Sequence, residues 1–279
     1  MSYKTIVVHV NGARDAERRI RLAAQLAIQF GAHLVGTALT GVSRFLYQDH
    51  VTAMGAGLAA QYMDEARVQA QAALNRFEEQ CTALGVRSYE SRLADDEAIG
   101  GLVLQSRYGD LVVVSQTDPD QPVSPLAEEL PEFVAMNSVR PVLVVPYAGH
   151  FSLPAKHVLV AWDGSLEATR AVTAALPLMQ RAERVTLAVF NAGRYPDAHG
   201  QEPGADIALY LARHGIKVEV SPQVTSIEIG SALLSLAADL QAELLVMGCY
   251  GHSRFREIML GGASRTILES MTLPVLLAH

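Results

Sequence analysis

The two halves of this 279-residue chain repeat one pattern of strands and helices. Residues 5–12 and 157–164 each form a run of β-branched and apolar residues that ends in a small polar turn. Each run opens a half, and a helical pattern and a second apolar strand follow both (15–30 and 32–39; 166–180 and 184–190). Because such self-similarity is the signature of duplicated folding units, the two halves are expected to share one fold.

Later segments match in the same order. They comprise a strand after glycine (85–90 and 215–220), a short helix (94–107 and 226–240), a buried strand (110–115 and 243–248), and a final helix end, proline and strand (137–146 and 270–278). Strands that are apolar on both faces are typical of parallel sheets covered by helices. The sequence therefore predicts an α/β protein with two tandem, open, five-stranded, Rossmann-like domains, at 1–148 and 154–279. A single eight-stranded barrel is the disfavoured alternative.

The charge balance excludes partners that need a positive field. Lys and Arg number 22 against 29 Asp and Glu, and the balance is acidic in both halves, 12 against 17 in residues 1–150 and 10 against 12 in 151–279. Binding to nucleic acid or to an anionic membrane is therefore not expected. No run of about 20 apolar residues occurs, and residues 1–4 do not resemble a secretory signal, so a cytoplasmic protein with free Cys81 and Cys249 is expected.

The most specific motif follows the buried strand 243–248. It consists of Gly248, Gly251, Gly261, Gly262, Ala263 and Ser264. Glycines let the backbone turn sharply and approach an anion, and free amides at a helix start point toward it. Arg254, Arg256 and Arg265 outnumber Glu257 nearby, which favours bound phosphate. The motif predicts a phosphate-binding loop; the alternative is that the glycines only serve turns.

A second candidate is Asp163, which ends the first strand of the same half. A carboxylate at that edge of a sheet can accept hydrogen bonds from the hydroxyl groups of a ribose. The alternative role of Asp163 is to cap the following helix, where Ser165 competes with it. The residues alone leave this choice open.

With these residues, the second half resembles a universal stress protein domain, and the whole chain resembles the tandem form of that family. Nucleotide-binding members carry Gly-x2-Gly-x9-Gly followed by Ser or Thr, which Gly248, Gly251 and Gly261 match. The resemblance implies an adenine nucleotide, ATP with or without magnesium, as ligand. It also implies that Phe190, with Val189, lies where the second strand lines the adenine pocket. Met247, which precedes the first glycine, and His252, which lies beside the phosphate loop, are further candidates for nucleotide binding.

One departure concerns Gly262, which stands where the family has a phosphate-binding hydroxyl; the nearest hydroxyl is Ser264. Loss of one hydrogen bond to a charged group costs roughly 1.5–3 kcal/mol, so weakened binding is expected. The first half departs further: 115–125 has no glycine, and Asp118 and Asp120 lie where phosphate would bind and would repel it. Asn11 stands where the family has an Asp after the first strand, the position that Asp163 fills in the second half. This half is expected to have lost nucleotide binding and to serve as a scaffold or as a surface for a partner.

Three functions remain open from the sequence: a nucleotide-binding stress-response regulator, an interaction or scaffold protein without nucleotide, and an enzyme such as an adenylate transferase or phosphohydrolase. The residues predict at most a weak ATPase, because only backbone amides and His252 are available to stabilise developing charge. In the family, last strands pair between domains, which predicts pairing of 142–145 with 275–277 inside this chain. Association of two chains stays open, as does the role of the insertion 41–57 as a lid or a surface loop.

Overall fold

A computed structural model describes residues 2–41, 56–121, 129–194, 202–250 and 262–279. These residues form an α/β fold in which one ten-stranded sheet is covered by helices on both faces. The predicted fold class is therefore confirmed. Within the described ranges, no helix is both long enough and apolar enough to cross a membrane.

The strands, numbered in chain order, are β1 Thr5–His9, β2 His33–Leu39, β3 Tyr89–Ala94, β4 Leu111–Ser115, β5 Val142–Val145, β6 His157–Ala161, β7 Arg184–Phe190, β8 Val218–Gln223, β9 Leu244–Gly248 and β10 Val275–Ala278. The α-helices are α1 Ala16–Phe30, α2 Ala56–Leu84, α3 Ala98–Ser106, α4 Leu130–Asn137, α5 Leu166–Met179, α6 Ala205–Arg213, α7 Ile229–Asp239 and α8 Gly262–Ser270. A 3-10 turn, Ala192–Arg194, follows β7.

The order of strands shows how the duplicated pattern is arranged. It runs β3-β2-β1-β4-β5 through the first half and β10-β9-β6-β7-β8 through the second. Neighbours are parallel within each half, whereas β5 and β10 pair antiparallel, with Val275 opposite Val144 and Leu277 opposite Val142. These are the two segments named above for pairing between the halves, and they join the two five-stranded units into one continuous sheet.

Side chains that alternate along the buried strands fill a separate core on each face of the sheet. In β4, Val113 belongs to the core under α1, α2, α5 and α6, whereas Val112 and Val114 belong to the core under α3, α4, α7 and α8. This two-sided burial is why the strands are continuous apolar runs rather than alternating ones.

Several boundaries differ from the sequence expectations, and β3 and β8 begin at Tyr89 and Val218 rather than directly after glycine. Helix α3 begins at Ala98 rather than at 94, because β3 continues to Ala94 and the Glu97 carboxylate then caps the helix by accepting from the Ile99 and Gly100 amides. Helix α7 begins at Ile229 rather than at 226, after its Glu228 cap. None of these shifts alters the order of elements. Most of the insertion 41–57 lies outside the described residues.

Candidate functional site

The candidate site lies where the order of strands reverses in the second half. Strand β6 lies between β9 and β7, so the chain leaves β6 to one side and returns to the other. At such a switch point the loops beyond the carboxyl ends of the strands separate and leave a crevice. Three segments meet at this edge: the turn after β6, the end of β9, and the start of α8.

In the turn after β6, Ser165 and Asp163 have different local roles. The Ser165 hydroxyl caps α5 by accepting from the Ala168 amide at 3.1 Å. Asp163 is exposed, and its Oδ1 accepts from the Ser165 amide at 3.0 Å across Gly164, which has a φ of +78°. Ser165 is therefore the helix cap, and the carboxylate of Asp163 faces solvent at the carboxyl edge of the sheet.

At the end of β9, Gly248 allows close packing between a strand and a helix. A Cβ placed on Gly248 would lie 2.4 Å from the Ala168 backbone nitrogen and 2.6 Å from the Glu167 carbonyl carbon. No side chain fits there without moving the first turn of α5. The glycine was expected to let the backbone approach an anion; the described contacts give it a packing role that is sufficient to require glycine.

The start of α8 is tied to the end of β9. Tyr250, with a φ of +58°, donates its backbone NH to the Ser264 hydroxyl at 3.3 Å. Ser264 is buried, so its hydroxyl holds the loop rather than facing solvent. Gly262 is exposed and Ala263 is half-buried, so the first turn of α8 reaches the surface at the carboxyl edge. Unpaired amides at a helix start of this kind attract anions.

Glu228, which the sequence analysis missed, lies beside the start of α8. Its carboxylate caps α7 by accepting from the Ser231 amide at 2.8 Å. A Cβ placed on Gly262 would lie 3.7 Å from Glu228 Oε1, so a negative charge borders the first turn of α8. Arg265, counted above among the favourable charges, pairs with Glu269 at 2.7 Å toward the other end of the helix.

A cavity of about 690 Å³ opens beyond the ends of β7 and β8. Val189 lines it together with Asn191 and Thr225, and the Asn191 side chain accepts from the Thr225 amide at 3.0 Å. Phe190, which was expected to line the same pocket, is half-buried and is not among the lining residues. Met247 lies in the core beneath the sheet edge.

The structure therefore places Asp163, Ser165, Gly248, Gly262, Ala263 and Ser264 at one edge of the sheet, with Val189 two strands away from β9. Gly251, His252 and Gly261 lie outside the described residues. Within the described part of the chain, no group of three or more His, Cys, Asp or Glu side chains is arranged to hold a metal ion.

The equivalent edge of the first half is filled by a buried arginine. Arg19 is only 2% exposed, and its guanidinium donates to the His9 carbonyl at 2.7 Å, Ser115 Oγ at 2.6 Å, Asn11 Oδ1 at 2.9 Å and Asp15 Oδ2 at 3.2 Å. These partners come from the ends of β1 and β4 and from the start of α1. The side chain thus occupies the switch point of this half.

Together, the fold and this edge define a doubly wound α/β protein with a candidate anion-binding site in its second half. Residues 154–279 match the model of the universal stress protein family.

Solved structures share the fold of the whole chain. A universal stress protein from Archaeoglobus fulgidus DSM 4304 matches with a TM-score of 0.71 and 17% identity, over 98% of this chain and 95% of that one. A functionally unknown protein from Pseudomonas aeruginosa PAO1 matches with a TM-score of 0.60 and 16% identity, over 99% and 92% of the two chains. A universal stress protein in complex with cAMP covers 53% of this chain and all of its own length, with 21% identity and a TM-score of 0.39. A search of curated proteins found no match.

Proposed function

We propose that the carboxy-terminal half binds an adenine nucleotide, and that this binding lets the protein act as a regulator in a stress response. The observation that supports the proposal is the exposed first turn of α8 at Gly262, at the same sheet edge as the exposed carboxylate of Asp163. A phosphate group would accept from the α8 amides, and Asp163 would accept from ribose hydroxyls.

The base would extend from that edge toward the cavity lined by Val189. Strands β9, β6 and β7 are consecutive neighbours, and strands lie about 4.8 Å apart, so about 10 Å separates the end of β9 from the end of β7. A ligand with phosphate at one end and a flat apolar base at the other suits such a spacing of charged and apolar surface. ATP is the proposed nucleotide, and it serves as a ligand in this proposal.

The first half would take no nucleotide. Arg19 fills the place that a ligand would need, and its hydrogen bonds to Asn11 and Ser115 use the polar groups at the ends of the strands. Expelling a buried, paired guanidinium would leave Asp15 as an uncompensated charge, which opposes ligand entry. We therefore assign binding to residues 154–279 and a supporting role to residues 1–148.

The test is calorimetric titration of the whole chain with ATP and with adenosine, each with and without magnesium. We expect the wild-type chain to bind ATP with a Kd at or below about 1 mM. Replacing Asp163→Ala removes an acceptor for the ribose, so the affinities for ATP and for adenosine should both fall, by about tenfold.

The matched control is Asp239→Ala, which removes an exposed carboxylate at the last residue of α7, at the opposite edge of the sheet. Its affinities should equal those of the wild type. Substitutions at Gly248 are unsuitable because any side chain there displaces α5. Absence of ATP binding by the wild-type chain would refute the proposal and favour an interaction protein that uses no nucleotide.

A further inference from the structure

The first half makes direct contact with the helix proposed to bind phosphate, through Gln116. This residue follows β4 and is only 4% exposed. Its Nε2 donates to the Leu268 carbonyl at 2.9 Å and to the Glu269 carbonyl at 3.1 Å, while its Oε1 accepts from the Tyr147 amide at 3.4 Å. Both polar ends of the side chain are used.

The two carbonyls belong to the last turn of α8, which ends at Ser270. The last four carbonyls of an α-helix have no partner within the helix, so a buried donor at this position satisfies groups that would otherwise be unpaired. At the other end of α8, Ser264 is held by the Tyr250 amide. A helix of nine residues is about 13 Å long and moves as a rod, so fixing its last turn also fixes the direction of its first amides.

A weaker contact joins the second half to a helix of the first half. Cys249 follows β9 as Gln116 follows β4, and its sulfur lies 4.0 Å from the Ala135 carbonyl in the last turns of α4. A thiol is a poor donor, so this contact holds α4 far less firmly than Gln116 holds α8. The stronger of the two contacts, that of Gln116, therefore holds α8, the helix of the proposed site.

We infer that Gln116 is a positioning residue for phosphate binding: through this side chain the first half helps to orient the amides of α8. The inference rests on the proposed function, and it gives residues 1–148 a specific task within it. Without the amide of Gln116, the end of α8 would shift to find other partners, and the amides at 262–264 would shift with it.

The test compares Gln116→Leu with the wild-type chain in titrations with ATP and with adenosine. Leucine fits a buried position but donates no hydrogen bond. The Kd for ATP should rise by about five- to thirtyfold, as expected for coupling through a packed contact. The Kd for adenosine should stay within about twofold, because Asp163 and Val189 do not depend on α8 for their positions. A purely structural loss would weaken both ligands alike.

Two further variants keep the test conclusive. Gln116→Asn retains the amide on a shorter side chain and should lie between wild type and Gln116→Leu, which gives a second measurement if leucine prevents folding. Gln71→Leu is the matched control, since Gln71 is exposed on α2 and contacts only Asn75 among the described hydrogen bonds.

The outcomes separate the inference from the function beneath it. If wild type binds ATP and neither Gln116 variant changes the ratio of the ATP and adenosine affinities, the positioning role is wrong and the proposed function stands. Equal weakening of both ligands also overturns the positioning role. If the wild-type chain binds neither ligand, the proposed function is wrong, and the positioning role that rests on it is wrong as well.

Discussion

At the scale of single residues, Arg19 is the side chain that most clearly distinguishes the two halves. Its partners at positions 9, 11, 15 and 115 are brought together only by the parallel pairing of β1 with β4 and the return of α1. Burial lowers the pKa of Arg19, while the adjacent carboxylate of Asp15 raises it. The guanidinium stays charged, since an arginine pKa lies far above neutral pH.

We predict that Arg19→Met destabilises the protein by about 3–5 kcal/mol, because Asp15 would remain buried without a counter-charge. The measurement is urea unfolding at neutral pH. Arg21→Met is the control, since Arg21 forms an exposed pair with Glu17 and its loss should change stability by less than about 0.5 kcal/mol. The double variant Arg19→Met with Asp15→Leu should recover part of the loss. Equal effects of the two arginine variants would contradict this account.

The same scale shows what the sequence could not reveal. The glycine pattern at Gly248 is visible in the sequence, but the Ala168 backbone that fills the space above it comes from a different segment of the chain. Arg19 carries no motif, and an arginine in an amphipathic helix is ordinarily a surface residue. Asp118 was predicted to repel phosphate; its pKa is lowered by hydrogen bonds from Gln121 and from the Asp120 amide, which keeps it charged.

At the scale of elements, the starts of α7 and α8 lie side by side, so the acidic cap of α7 lies near the backbone amides that begin α8. A Cβ on Gly230 in α7 would lie 2.8 Å from the Ala263 carbonyl in α8, so the two helices pack closely. The capping carboxylate of Glu228 therefore lies next to the amides at the start of α8. An anion bound there would meet a like charge, which weakens its binding.

We predict that Glu228→Gln strengthens ATP binding by about tenfold at low salt, because the charge is removed while an oxygen remains to cap α7. The effect should shrink as the salt concentration rises. Glu228→Ala is the comparison variant: it should also strengthen binding but should lose about 1 kcal/mol of stability with the cap. Titration calorimetry and urea unfolding measure the two quantities. Weaker ATP binding by the Gln variant would show that Glu228 contacts the ligand favourably.

Elements were the part of the fold that the sequence predicted best. Strands such as β4 and β9 are short apolar runs buried on both faces, and this composition leaves few alternatives. The start of α3 was placed too early because residues 94–97 also suit a helix, and only the pairing of β3 with β2 holds Ala94 in a strand. Such pairing involves distant residues and has no local signal.

At the scale of the whole molecule, the halves are joined by backbone pairing as well as by side chains. Antiparallel β5 and β10 join the two parallel halves into one sheet, and Gln116 adds a buried contact across the junction. The repeat in the sequence predicted two equivalent units but not that their cores continue across the junction. Leu143 of β5 and Leu276 of β10 belong to the same buried cluster.

This continuity predicts that the halves unfold together. Phe77 in the first half is fully buried, and its ring fills the space above Gly36, so Phe77→Ala should cost about 3–5 kcal/mol. The only tryptophan, Trp162, lies in the second half, where its amide donates to the Ala188 carbonyl. In a cooperative unit, the midpoint of urea unfolding seen by Trp162 fluorescence shifts by as much as the midpoint seen by far-UV circular dichroism.

The control for this experiment is Val68→Ala, which truncates an exposed side chain on the same helix as Phe77 and should leave both midpoints in place. An unchanged fluorescence midpoint in Phe77→Ala, with two steps in the dichroism, would mean that the second half unfolds alone. That result would also argue against the positioning role of Gln116. A second half that stays folded when the first half unfolds does not need the first half to hold α8 in place. A shared midpoint instead links the integrity of the first half to the geometry of the proposed site.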